Sequence, residues 1–181
     1  MSDAPMRIVL TGPPGCGKTT AVRKIIDALD RSRIAGFYTQ EIRESHRRTG
    51  FRWHRLDGRS GTLAHVNIKS RYRVGKYGVD VDGFDSQAVA ALDPDAARIR
   101  LFVVDEIGKM ECFSEKFVQA VRRLLASEAS ILATVALKGG GLIRDIKEDP
   151  SVELRHLTAG NRDEIAHHIA DRLAAGVLRP A

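Results

Sequence analysis

The sequence predicts an α/β fold in which a mostly parallel central sheet has helices on both faces and is extended by an antiparallel hairpin. Three short apolar segments support this prediction, because each is typical of a buried parallel strand: Arg7–Thr11, 101–105 and 131–136. The first segment enters a turn rich in glycine and proline, and a stretch with apolar residues at helical spacing follows. Strands that alternate with helices in this way form parallel sheets covered on both sides.

The first half of the chain is predicted to form one helix and three strands. These are a helix from residue 18 to about residue 31 and strands at 36–43, 50–57 and 62–68, which have the composition of strands. Polar residues between the first two strands predict a hairpin with a longish turn at 44–49. Glycines at positions 75, 78 and 83 predict an irregular connection after the third strand.

In the second half of the chain, capping residues mark the predicted helix starts. Asp85 or Ser86 is expected to cap a helix that ends near residue 92, and Ser114 the helix that follows the strand at 101–105. Asn161 with Glu164 resembles a capping box at the start of the last helix. A last strand is predicted at 152–157. With no linker or repeat in between, residues 1–181 are predicted to be one domain with a hairpin insertion at about 36–76.

Length and composition exclude several classes of protein. At 181 residues with 43% apolar residues, the chain can form a core that buries roughly 70% of its unfolded surface and is not mostly disordered. No apolar run approaches the ~18 residues of a membrane span, and the N-terminus lacks a signal pattern. Two cysteines, Cys16 and Cys112, are too few for a disulfide framework or a structural zinc site. We therefore expect a cytoplasmic protein with no membrane association. Separately, we expect it to be a monomer.

Positive charge is concentrated in one segment. The net charge is +6, yet residues 42–76 alone hold ten Lys or Arg against Glu44 and Asp57. Such a region predicts a polyanionic partner, which is either the phosphates of a nucleotide or a nucleic acid. A solvated hairpin whose arginines bind nothing explains the same composition, and charge alone does not separate these interpretations.

The turn after the first strand has the spacing of a phosphate-binding loop. Residues 12–19, Gly-Pro-Pro-Gly-Cys-Gly-Lys-Thr, match G-x-x-x-x-G-K-[ST] between a predicted strand and a predicted helix. Backbone N–H groups converge on a β-phosphate in such a turn, and the helix N-terminus favours the anion. Lys18 is expected to reach the β- and γ-phosphate oxygens and Thr19 to coordinate Mg²⁺. The loop therefore predicts a P-loop NTPase fold that binds a nucleoside triphosphate.

Two acids end the apolar strand at 101–105. Asp105 is expected to hold Mg²⁺ opposite Thr19, and Glu106 to orient or deprotonate the water that attacks the γ-phosphate. The separation of 87 residues between Lys18 and Asp105 suits the branch of P-loop proteins with another strand between these two. Thr134 on that neighbouring strand is either a γ-phosphate contact or a plain β-branched strand residue.

Three functional hypotheses remain open from these residues. The first is NTP hydrolysis. The second is a kinase that transfers phosphate to a nucleotide, a nucleoside or a polynucleotide, with the arginines of 43–59 as a lid. The third is a nucleotide-regulated nucleic-acid-binding module. A switch GTPase is not indicated, because the nearest match to N-K-x-D, at 161–164, lacks both the lysine and the aspartate.

Several strings in the chain together resemble a known family. They are GPPGCGKTT (12–20), GFYTQEIR (36–43), R-x-G-F (48–51), VVDEIGKME (103–111) and TVALKG (134–139), in that order. They are similar to the thermophile-type nucleoside-triphosphatases, a family that includes the human cancer-related nucleoside-triphosphatase. The similarity runs from about residue 7 to residue 169, and DEIGKME is its most specific part.

The resemblance implies a RecA-like three-layer sandwich and slow, Mg²⁺-dependent hydrolysis of ATP, GTP and other NTPs with little base preference. The resemblance adds Lys109 to the catalytic candidates Lys18, Glu106 and Thr134 named above, and it implies that Lys109 lies near the γ-phosphate, where its charge would offset developing negative charge. Two stretches are implied to bind the nucleotide: Gly12, Pro13, Pro14, Gly15, Cys16, Gly17, Lys18, Thr19 and Thr20, and Phe102, Val103, Val104, Asp105, Glu106, Ile107, Gly108 and Lys109. Cys112 departs from the family pattern, which usually has leucine there, and this changes packing more than chemistry.

Overall fold

A computed structural model describes residues 4–96 and 98–177, which form a nine-stranded mixed sheet and five α-helices. The strands are β1 (Arg7–Thr11), β2 (Ile34–Glu44), β3 (Arg47–Arg55), β4 (Ser60–His65), β5 (Arg73–Val74), β6 (Tyr77–Val79), β7 (Leu101–Ile107), β8 (Ser130–Val135) and β9 (Glu153–His156). The helices are α1 (Lys18–Asp27), α2 (Val81–Gln87), α3 (Glu115–Ala126), α4 (Leu142–Glu148) and α5 (Arg162–Gly176).

The strand order is β5-β6-β4-β3-β2-β7-β8-β1-β9. The five strands β2, β7, β8, β1 and β9 pair in parallel, and β8 lies between β1 and β7, which confirms the prediction that a strand separates the loop strand from the acidic strand. The antiparallel part contains four strands and is larger than the predicted hairpin. The difference arises because the glycine-containing connection itself folds into the short hairpin β5–β6.

The sheet separates two apolar cores. Ile8 and Leu10 of β1 belong to one core and Val9 to the other, as the alternation of side chains along a strand requires. Helices α1 and α5 cover the first face, whereas α2, α3 and α4 pack on the second. Helices on both faces of a mixed sheet confirm the α/β prediction. Over the ranges 4–96 and 98–177, none of the helices combines the length and apolar character that crossing a bilayer requires.

One hydrogen bond and the backbone conformation of one turn explain two differences from the prediction in the first half of the chain. Helix α1 ends at Asp27, not near residue 31, because Asp30 accepts a 3.0 Å hydrogen bond from the Ser32 N–H and starts a separate 3-10 turn. The turn between β2 and β3 is short, not longish: Ser45 and His46 alone form it, with φ of 47° and 64°. Two consecutive positive φ values match the twist of a two-residue hairpin.

Caps in the second half agree with the prediction at only one of three helices. Ser114 caps α3 by accepting from the Phe117 N–H at 2.9 Å, as predicted. Helix α2 begins earlier than expected, because Asp80 caps it and Asp85 instead accepts a hydrogen bond from Ser114. The capping box at Asn161 is wrong, since that side chain makes no cap hydrogen bond to α5. Helix α4 was not predicted.

Candidate active site

The turn between β1 and α1 is closely covered by the segment that follows β9. A Cβ at Gly12 would lie 2.5 Å from the carbonyl oxygen of Leu157 and 2.8 Å from Sγ of Cys16. Gly17 has φ of 95°, and a Cβ there would lie 2.6 Å from Cδ of Arg162. A larger residue at either position would push the two segments apart. Both glycines of the motif are therefore required by the packing as well as by the turn.

The middle of the loop is open. Pro13, Pro14 and Gly15 are exposed, and no atom lies within 4 Å of a Cβ built on Gly15, whose φ is 79°. The thiol of Cys16 is buried in the core formed with α1 and α5. Loop residues 13–15 thus face solvent, whereas Cys16 anchors the turn by packing.

Lys18 and Thr19 are the polar side chains that the loop directs inward. Lys18 is only 9% exposed, and its Nζ donates a 3.2 Å hydrogen bond to the carbonyl oxygen of Gly12. The ammonium therefore lies over the loop. Thr19 is half-buried and stabilises the ionised form of Asp105, while Thr20 is exposed.

Asp105 is fully buried at the end of β7. Thr134 on β8 donates a 2.6 Å hydrogen bond from its Oγ1 to Oδ1 of Asp105, and Oδ2 has no hydrogen bond of normal geometry to any described residue. Burial raises the pKa of Asp105 to about 6, hydrogen bonds from Thr134 and Thr19 act in the opposite direction, and the charge of Glu106 adds to the rise. An unpaired buried carboxylate oxygen beside a threonine hydroxyl suits Mg²⁺, which prefers oxygen ligands. These residues fit the predicted metal.

Asp105 and Glu106 lie at the point where the pairing between β7 and β8 is irregular. Val104 pairs with Ala133 and Ile107 with Val135, so β7 has one more residue than β8 across this step. Such an extra residue bends the strand and re-aims the side chains next to it. Here the acids occupy the irregular step, with Asp105 buried and Glu106 half-buried.

Glu111 is a site residue that the sequence analysis did not single out. It is 5% exposed and accepts a 3.1 Å hydrogen bond from the Gly108 N–H through Oε2. A Cβ at Gly108 would lie 2.9 Å from that oxygen and 3.6 Å from Oε1 of Glu106, so the two carboxyl groups flank the same turn. Burial raises the pKa of Glu111 to about 8, and the charges of Glu106 and Asp105 add to the rise. Its presence in the DEIGKME string was the only available signal.

The other predicted residues of this stretch have different surroundings. The side chains of Phe102, Val103, Val104 and Ile107 are buried in the two apolar cores. Lys109 is exposed and has no hydrogen bond or ion pair with the residues that the structure describes. It follows Gly108 directly, in the same turn as the two glutamates.

The basic segment is largely engaged within the domain. Glu41 forms 2.7 Å ion pairs with both Arg43 and Arg48, and Arg48 also donates to the hydroxyl of Tyr77 at 3.1 Å. Trp53 is 3% exposed and packs in the core. The interpretation of this segment as a hairpin that binds no polyanion therefore accounts for these side chains.

Comparison with known proteins assigns the family. The family model described as "NTPase" matches residues 7–170. The chain belongs to the NTPase family. This membership places the chain among enzymes and confirms the resemblance to the thermophile-type nucleoside-triphosphatases.

Relatives in the NTPase family cover nearly the whole chain. The chain is 39% identical to nucleoside-triphosphatase THEP1 of Thermotoga petrophila over 164 residues, which are 91% of this chain and 90% of the relative. It is 38% identical to the human cancer-related nucleoside-triphosphatase over 173 residues, which cover 87% of this chain and 91% of the relative. The crystal structure of THEP1 from Aquifex aeolicus matches with a TM-score of 0.84 at 36% identity, covering 93% of this chain and 99% of that structure.

Proposed function

We propose that the chain is a Mg²⁺-dependent nucleoside-triphosphate phosphohydrolase, which converts NTP and water into NDP and phosphate. The observation that carries the proposal is the unpaired Oδ2 of buried Asp105, which belongs to the same site as Thr19 of the phosphate loop. Family membership and the names of the relatives support hydrolysis over the kinase and nucleic-acid hypotheses.

In this proposal each polar residue has a separate task. Lys18 stabilises charge on the transferred phosphoryl group, while Thr19 and Asp105 hold the metal. Glu106 orients the attacking water and accepts its proton as the new P–O bond forms and the bond to the bridging oxygen breaks. Mg²⁺, when bound, neutralises charge on the β- and γ-phosphate oxygens.

Thr134 and Lys109 have supporting tasks in the proposed reaction. The Thr134 hydroxyl favours the ionised form of Asp105, as its 2.6 Å hydrogen bond supports. Lys109, which is exposed and lacks a described partner, offsets charge that develops on the γ-phosphate, so that no partner protein has to supply an arginine.

Finer features of the proposal rest on the resemblance and on the chain's composition. We include broad base tolerance with ATP and GTP both accepted, slow turnover, a RecA-like layering and a single domain in which the antiparallel strands are an insertion. We also include a cytoplasmic monomer. The mismatch to N-K-x-D at residues 161–164 supports the broad tolerance.

Phosphate release from ATP and GTP, measured with and without Mg²⁺, tests the proposal. We expect the wild-type chain to release phosphate only with Mg²⁺, and K18A and E106Q to be slower by about 100-fold or more. E106Q should still bind nucleotide, because it keeps the loop. The exposed Glu128 supplies the matched control, E128Q, which should leave the rate unchanged. Full activity of E106Q, or a labelled product from a mixed library of phosphate acceptors, would refute the proposal.

A further inference from the structure

Residues 156–162 form a turn that is held by hydrogen bonds and packs against the phosphate loop. The Leu157 N–H donates a 2.7 Å hydrogen bond to the carbonyl oxygen of Thr11 and so joins this turn to the end of β1. Asn161 closes the turn from inside: its Oδ1 accepts from the Thr158 N–H at 2.8 Å, and its Nδ2 donates to the carbonyl oxygen of His156 at 3.1 Å. The turn is therefore held in one shape beside the loop.

The sheet order indicates which end of a bound nucleotide this turn would meet. Strand β1 has β8 on one side and β9 on the other. Asp105 and Glu106 extend from β7, on the β8 side of the loop, so the γ-phosphate end of a triphosphate points to that side. The α-phosphate and the nucleoside must then leave the loop on the other side, towards β9 and α5.

Arg162, the first residue of α5, is a cation on that other side and lies directly against the phosphate loop. Its side chain lies across Gly17, with Cδ at 2.6 Å and Nη1 at 2.8 Å from the position of a Cβ there. Its Nε donates a 2.9 Å hydrogen bond to Asp163, and Asp163 also pairs with Lys24 of α1 at 2.8 Å. Nη1 and Nη2 have no hydrogen bond to any residue within 4–96 and 98–177, and the side chain is 28% exposed. The guanidinium is thus positioned by Asp163, is partly exposed and still has free donors.

We propose that Arg162 is a nucleoside-binding residue whose guanidinium plane stacks on the base of the bound NTP. Every base has a π-face, so a planar cation binds all of them without reading their edges. Oδ1 and Nδ2 of Asn161 each make a hydrogen bond within the turn, and the proposal gives this amide no part in reading a base edge. The inference rests on the proposed function, and it supplies a structural origin for the broad base tolerance included there.

Binding measured without turnover tests this assignment. Isothermal titration calorimetry with Mg²⁺ would compare wild type, R162A, R162K and R123A for nonhydrolysable analogues of ATP and GTP and for inorganic tripolyphosphate, which has no base. We expect R162A to weaken both nucleotide analogues by about tenfold, within the range of one lost base stack, and to leave tripolyphosphate unchanged. R162K should not restore binding, because an ammonium has no plane to stack. R123A removes an exposed arginine on α3, across the sheet, and should bind like wild type.

Two results would overturn the assignment. Equal weakening of tripolyphosphate and nucleotides by R162A, with rescue by R162K, would make Arg162 a phosphate-binding cation. Unchanged affinity for both analogues in R162A would remove Arg162 from the site. Because calorimetry needs no hydrolysis, either result is distinguishable from a failure of the phosphate-release assay.

Discussion

The hydroxyl of Thr134 donates a 2.6 Å hydrogen bond to Oδ1 of Asp105, and both side chains are fully buried. T134V keeps the shape but leaves the buried carboxylate without this donor, so we expect the free energy of unfolding to fall by about 1–3 kcal/mol. Mg²⁺-dependent nucleotide affinity should fall as well, because the ionised form of Asp105 loses support. Urea denaturation and calorimetry measure the two effects. T134S keeps the hydroxyl and should retain most of both; equal losses in T134S and T134V would contradict this role.

Lys109 is exposed and makes no ion pair or hydrogen bond with the described residues, which allows its charge to be removed with little structural effect. We expect K109A to lower kcat by about 10- to 100-fold if its charge stabilises the transition state, with KM changed far less. The melting temperature should stay within about a degree of wild type, since surface substitutions change stability little. Steady-state kinetics with ATP would show this. A rise in KM at constant kcat would instead indicate ground-state binding.

Gly12 and Gly140 form a matched pair of glycines for testing the close approach of Leu157. A Cβ at Gly12 meets the Leu157 carbonyl oxygen at 2.5 Å, whereas nothing lies within 4 Å of one at Gly140. We expect G12A to lose about 1–3 kcal/mol of stability, because backbone must move to accommodate the methyl group, and to bind nucleotide at least about tenfold more weakly. G140A should stay within about 0.5 kcal/mol of wild type. Thermal unfolding and nucleotide titration of both variants provide the comparison. Equal stability and equal affinity in the two variants would mean that the turn accommodates the methyl group at little energetic cost.

Glu111 makes stability depend on pH in a direction opposite to that of most carboxylates. Its pKa is about 8 in the folded chain, compared with about 4.5 in the unfolded chain, so between these values the folded chain retains a proton that the unfolded chain has released. Stability contributed by the protonated carboxyl is therefore complete below about pH 4.5 and is lost as pH rises towards 8. E111Q cannot titrate, so its free energy of unfolding relative to wild type should increase from pH 5 to pH 8. Urea denaturation at several pH values checks this, with E128Q as the control that should show a flat difference.

The local parts of the site were predictable from the sequence, whereas the parts made by tertiary packing were not. The order and spacing of Lys18, Thr19, Asp105 and Glu106 follow from one turn and one strand end, and these patterns lie within a few consecutive residues. Burial of Glu111 depends on how the turn after β7 folds back, and a single acid among residues of mixed polarity gives no local sign of burial. The approach of Arg162 to Gly17 likewise joins residues that are far apart in the chain.

In the fold, too, the elements with a clear local sequence pattern were predictable and the short or irregular elements were not. The buried strands β1, β7 and β8 were predicted because each is a continuous apolar run, and the start of helix α3 was predicted from Ser114. Strands β5 and β6 have two and three residues, too few for an alternating pattern. Helix α4 has seven residues and follows three glycines, which obscured its start. The capping box failed because Asn161 bonds back to Thr158 instead of forward into the helix.

The position of β1 inside the sheet has a consequence for how the chain is made. Arg7 pairs with Ile131, so β1 can meet its neighbour β8 only after 124 further residues have been synthesised. At 5–20 residues per second this is a delay of about 6 to 25 s. During that interval β1 has no neighbouring strand to pair with, and we expect stalled nascent chains that end before β8 to be cleaved by protease within residues 7–19. The phosphate loop therefore takes its place in the sheet only after β8 has been translated.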